Sequence, residues 1–61
     1  MLRMLTVTES SQISYSDAVK KAVEGLTAKG EKVHFFVVSE QRGTYRTGKL
    51  EYQAVIQISV E

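Results

Sequence analysis

The stretch "LEYQAVIQISVE" constrains this chain more than any other. Tyr52, Ala54, Ile56, Ile58 and Val60 recur at every second position, with Gln53, Val55, Gln57 and Ser59 between them. A period of two marks a strand with one face turned to a core. This strand therefore demands a cover. The whole sequence has 61 residues in which to supply one. A chain of that length forms a single domain, here residues 1–61, and its stability margin is thin.

The remaining segments are readable in the same way. Leu2 to Thr8 is rich in Thr and Val and predicts a first strand, with "ESSQIS" as a polar connection. "SYSDAVKKAVEGLTAKG" predicts a helix. Ser14 suits the N-cap, and Asp17 stands three residues on, at capping-box spacing. Ala18, Val19, Ala22, Val23 and Leu26 form one apolar stripe, and Gly30 can take the left-handed conformation that ends it. "KVHFFVVSEQRG" predicts a second strand, and "TYRTGK" a turn in which Gly48 takes positive φ. The order is β-α-β-β, an α+β fold with a three-stranded antiparallel sheet wrapped on one helix.

One helix covers one face of such a sheet. Phe36 and Val38 belong to one face of the second strand, yet Phe35 and Val37 belong to the other, and Val55 joins them from the third. Both faces are partly apolar, which predicts burial by further copies of the chain.

Composition narrows the functions. There is no cysteine, so no disulfide, thiol nucleophile or cysteine metal site. His34 is the single imidazole, best read as structural, and no metal site is expected. The formal charge of +1 and the scattered basic residues carry no nucleic-acid signal. No apolar run approaches the ~20 residues that span a bilayer. "MLRMLTVTES" lacks the apolar centre of a signal peptide. The expectation is a cytoplasmic protein without membrane or nucleic-acid partners. No nucleophile, base and orienting acid stand at convincing positions, so a stoichiometric binder is expected rather than an enzyme.

"TESSQISYSDAVKKAV", "VHFFVV" and "EQRGTYRTGKLEYQAVIQISV" together resemble the dodecins, small β-α-β-β flavoproteins that assemble as hollow spheres of twelve subunits. The resemblance covers nearly the whole chain. It implies a homododecamer that holds a flavin, FMN or riboflavin, between subunits. It places Phe35 where the family has a tryptophan that stacks on the flavin ring, and the chain has no tryptophan. Gln53 matches the glutamine that hydrogen-bonds the polar edge of the ring, and Arg42 falls where some members contact a flavin phosphate. The implied function is flavin storage or sequestration. Two alternatives share the architecture: a shell that has lost flavin, and a cage for another small ligand. Each residue also has a plainer role, namely interface packing for Phe35, an exposed or interface amide for Gln53, and for Arg42 an intersubunit salt bridge or a solvated turn, with Glu40 and Glu51 as available partners.

Overall fold

The computed structural model describes all residues, Met1–Glu61. The elements are β1 (Arg3–Ser11), α1 (Tyr15–Ala28), β2 (Val33–Arg46) and β3 (Lys49–Val60). The three strands form one antiparallel sheet in the order β1-β3-β2, so the strand with the complete apolar face lies in the centre. Central placement gives β3 a partner on both edges and explains how so apolar a strand stays paired.

The expected alternation holds along β3. Ala54, Ile56, Ile58 and Val60 are fully buried and meet Ala18 and Ala22 of α1. Leu5 and Val7 stand opposite Ile58 and Ile56 on β1, and Phe36 and Val38 stand opposite the same two residues on β2. These rows define the helix-facing side. Two alanines on the helix let its backbone approach the sheet closely. Removing the side chain of Ile56 or Ile58 would cost about 2–5 kcal/mol, the usual range for a core isoleucine.

The start of α1 departs from the simple capping box. Ser14 is the N-cap and accepts from the Asp17 backbone N–H at 3.0 Å, as expected. The Asp17 carboxylate does not return to the Ser14 backbone. It accepts instead from the Ser11 hydroxyl at 2.6 Å, and Ser11 Oγ accepts from the Ile13 backbone N–H at 2.9 Å and from that of Ser14 at 3.4 Å. A buried serine on β1 thus relays the box and ties strand to helix. The helix ends as predicted. Gly30 has φ 90°, its N–H reaches the Thr27 carbonyl at 3.0 Å, and the Glu31 N–H reaches the Leu26 carbonyl at 3.1 Å. That pair of bonds is a Schellman motif.

Two strands run further than composition suggests. β1 continues through "ESS" to Ser11, because Ser10 and Ser11 pair with Gln53 and Tyr52. β2 continues to Arg46, so the turn shrinks to Thr47 and Gly48. Both have positive φ, at 49° and 78°, the pattern of a two-residue type I′ hairpin.

Cover is incomplete on both sides of the sheet. The helix lies over β1 and β3, and an open groove of about 600 Å³ separates it from β2, lined by Val19, Val23, Phe36 and Val38 among others. Only 8 of 61 residues are buried. The chain exposes 4312 Å², more than the roughly 4,000 Å² ordinary for its mass.

Candidate functional site

The side of the sheet turned away from α1 carries the candidate residues. Directly paired residues share a face, so the register identifies this side as Ser59, Gln57, Val55, Gln53 and Glu51 of β3 with their partners. On β2 those partners are Phe35, Val37, Glu40, Arg42 and Thr44. Phe35, Gln53 and Arg42 therefore all lie on the open face. Strict alternation would have separated Phe35 from Arg42, because seven positions divide them. A bulge between Val38 and Glu40 inserts Ser39 as an extra residue and inverts the parity of the rest of β2.

Phe35 is 52% exposed. It sits beside Ser59, and Met4 of β1 sits on the other side of the same serine. Two large side chains flanking a small one account for the burial of Ser59 on a face that nothing else covers. Val37 extends the apolar patch along β2 and is also half exposed. Met4 was not among the sequence candidates. Its parity on β1 is visible in the sequence, but its position across from Phe35 depends on the register with β3.

The other end of the face is polar. Arg42 and Gln53 are cross-strand partners, and the Arg42 Nε–H donates to Gln53 Oε1 at 3.2 Å. Arg42 also donates through Nη1 to Glu40 Oε1 at 2.7 Å, and Gln53 Nε2 donates to Glu51 Oε1 at 3.3 Å. Arg42 thus forms an ion pair with Glu40 within the chain. Each member is at least partly exposed, so these bonds contribute little to stability in water. Their effect is directional: they set where the guanidinium and the amide point.

Phe35 lies opposite Ser59, and Gln53 lies six residues back along β3. At about 3.3 Å per residue the two rows are roughly 20 Å apart. A three-ring system is far shorter than that. One ring can touch both residues only if they come from different copies of the chain.

His34 occupies the second irregularity of β2, between Val33 and Phe35, and its Nε2 lies 2.7 Å from Glu61 Oε1. No cluster of three or more metal-ligating side chains exists in the structure. No helix is long and apolar enough to cross a membrane.

A dodecin family model matches residues 1–61. The chain belongs to the dodecin family. Solved dodecins share its fold. That of Streptomyces coelicolor aligns with a TM-score of 0.89 at 23% identity, over 98% of this chain and 87% of the other. A tryptophan-to-phenylalanine mutant of the Thermus thermophilus dodecin aligns at 0.90 with 23% identity, over 98% and 91%. The calcium dodecin of Mycobacterium tuberculosis, described as having a novel calcium-binding site, aligns at 0.88 with 20% identity, over 97% and 86%. No curated protein matches the sequence. The dodecin topology of β-α-β-β with one antiparallel sheet is the one expected from the sequence.

The residues present fit a flavin in kind. A half-exposed aromatic ring offers a stacking surface, and an amide with spare hydrogen-bonding capacity offers an edge partner. Arg42 retains guanidinium N–H donors beyond the two used within the chain.

Proposed function

We propose that this dodecin is a flavin-binding storage protein that encloses the cofactor between copies of itself in a closed homo-oligomer, a dodecamer by family resemblance. The observation that carries the reading is the open face. It holds a stacking group and an edge-reading group, too far apart to serve one ring within a single chain. A site assembled from two copies removes that conflict. Phe35 of one copy covers the ring, Gln53 of another reads its polar edge, and Arg42 receives the phosphate when the ligand is FMN. The bound flavin would contribute a redox- and light-active ring system. The chain contributes enclosure and orientation, and it needs no catalytic group for either.

Assembly has its own support. Phe36, Leu50 and Tyr45 are 46%, 46% and 73% exposed, in addition to the apolar patch around Phe35. Apolar surface this extensive on so small a chain is surface for a partner. Identical copies can meet it through a symmetric interface that closes on itself. The presence of phenylalanine in place of the family tryptophan is compatible with the fold, since the Thermus thermophilus mutant carrying that type of change aligns over nearly all of this chain.

The test is a titration of riboflavin and FMN into the purified protein, followed by flavin fluorescence, with the mass of the assembly measured by light scattering. Quenching with a multiple of the 6.8 kDa chain mass supports the proposal. An oligomer that binds neither flavin at high micromolar concentration points to the flavin-free shell. A monomer removes the two-copy site altogether.

A further inference from the structure

Resting on the flavin reading, the geometry points to Glu51 as a positioning residue that fixes the polarity of the Gln53 amide and so the side of a bound ring's imide N–H on which its bonded carbonyl sits. The amide oxygen of Gln53 faces the Arg42 Nε–H, and its nitrogen faces the Glu51 carboxylate. The guanidinium can only donate and the ionised carboxylate can only accept. The flipped amide would set N–H against N–H and oxygen against oxygen, losing both bonds. This arrangement therefore selects one of two otherwise equivalent orientations. Glu40 holds the other end by engaging Arg42 at 2.7 Å.

An amide oxygen has two lone pairs and an amide nitrogen two hydrogens. Arg42 and Glu51 use one of each. One acceptor and one donor remain, in a fixed order. That pair complements an imide edge, in which a ring N–H lies between two carbonyls. The ring N–H donates to Oε1, and one of the two carbonyls accepts from Nε2. An unconstrained amide pairs with either carbonyl, and the ring can lie either way round. With the amide fixed, the bonded carbonyl must lie on the Glu51 side of the ring N–H, which sets where the ring sits on the face. Glu51 itself need not touch the ligand. Enclosure between copies lowers the local dielectric and strengthens bonds that are weak on an exposed face.

The experiment is a double-mutant cycle on the intact assembly, with riboflavin and N3-methylated riboflavin as probes. Glu51→Ala should weaken riboflavin binding about five- to tenfold, the worth of one hydrogen bond. In a Gln53→Ala background the same change should have less than about a twofold effect. Glu51→Gln, oriented to accept from Nε2, should restore most of the affinity. It also serves as the measurement if Glu51→Ala fails to assemble. Methylation at N3 removes the ring donor, so wild type and Glu51→Ala should bind that probe alike. Equal losses in both Gln53 backgrounds, or no rescue by Glu51→Gln, overturn the inference and leave flavin binding intact. Failure of the wild-type protein to bind riboflavin overturns both.

Discussion

Phe35 and Arg42 lie on the same face of the sheet although they stand seven positions apart on one strand. Ser39 is the cause, because the bulge it forms inverts the parity of β2 beyond Val38. Its hydroxyl donates to the Val55 carbonyl at 3.1 Å, bonding the bulge to the central strand. Without the extra residue Arg42 would point toward α1 and Gln41 would take its place on the open face.

The placement of Arg42 makes a discriminating prediction about ligand choice. A guanidinium on the open face can reach a phosphate carried by a ring bound there, and riboflavin carries none. Arg42→Ala should weaken FMN binding by about 1.5–3 kcal/mol, the range for a charge-assisted hydrogen bond. The loss should shrink at high salt if the group is reached through solvent. Riboflavin binding should change less, and only through the released Gln53 amide. Equal losses for both flavins, compared by fluorescence titration, would assign Arg42 to the shared ring or to assembly and not to the phosphate.

Ser11 and Ser14 should differ in their effect on stability. Ser14→Ala removes the acceptor for the Asp17 backbone N–H, a loss of about 0.5–2 kcal/mol. Ser11→Ala removes one donor and one acceptor at once, leaving the Asp17 carboxylate and two backbone N–H groups short of a partner. Its cost should be greater than that of Ser14→Ala, at about 1–3 kcal/mol. Denaturant midpoints at matched protein concentration measure both. If Ser14→Ala costs more than Ser11→Ala, the relay through β1 contributes less than the direct cap.

How far the sequence reveals these features depends on how local they are. The cap at Ser14, the stop at Gly30 and the positive φ of Gly48 depend on a few neighbouring residues, and each is legible. The two faces of β3 are legible as well, because the strand is regular and one side is covered. The bulge at Ser39 is not, since it is a property of two strands and nothing in "VVSEQ" marks it. The role of Ser11 is hidden for a similar reason. A serine in a polar stretch reads as loop until pairing with Tyr52 extends the strand to it. The candidate site suffers most. Met4 beside Phe35, and the bonds joining Glu40, Arg42, Gln53 and Glu51, arise from register alone.

The hairpin between β2 and β3 contains a position open to improvement. Thr47 has φ 49°, a region that disfavours β-branched residues, and Gly48 follows it. Asparagine tolerates this conformation, and Asn-Gly is the favoured type I′ pair. Thr47→Asn should stabilise the protein by about 1 kcal/mol. Gly43 is the opposite case, because an added Cβ would stand 2.8 Å from the Glu51 carbonyl oxygen. Gly43→Ala should destabilise by about 1–3 kcal/mol through that backbone clash. Both are read as shifts in urea midpoint at constant slope. A neutral Gly43→Ala would mean that the two strands part locally at little cost.

Phe35 offers the test that separates ligand contact from interface packing. Half of its surface is exposed in the single chain, so the ring contributes little to folding of the subunit itself. If it covers a flavin, Phe35→Ala should weaken binding by about 1.5–3 kcal/mol, the burial worth of the side chain, and leave the assembly intact. If it packs only against another copy, the same change should lower the assembly's stability and leave flavin binding unaltered wherever the assembly persists. Phe35→Trp extends the comparison. Indole is larger and more electron-rich, so it should hold flavin at least as tightly and quench its fluorescence more deeply. Met4 stands across Ser59 from Phe35, and Met4→Ala combined with Phe35→Trp tests whether the larger ring meets it. Tighter binding in the double variant than in Phe35→Trp alone would show that the two side chains share one surface. Independent, additive effects would place Met4 outside the ligand's reach.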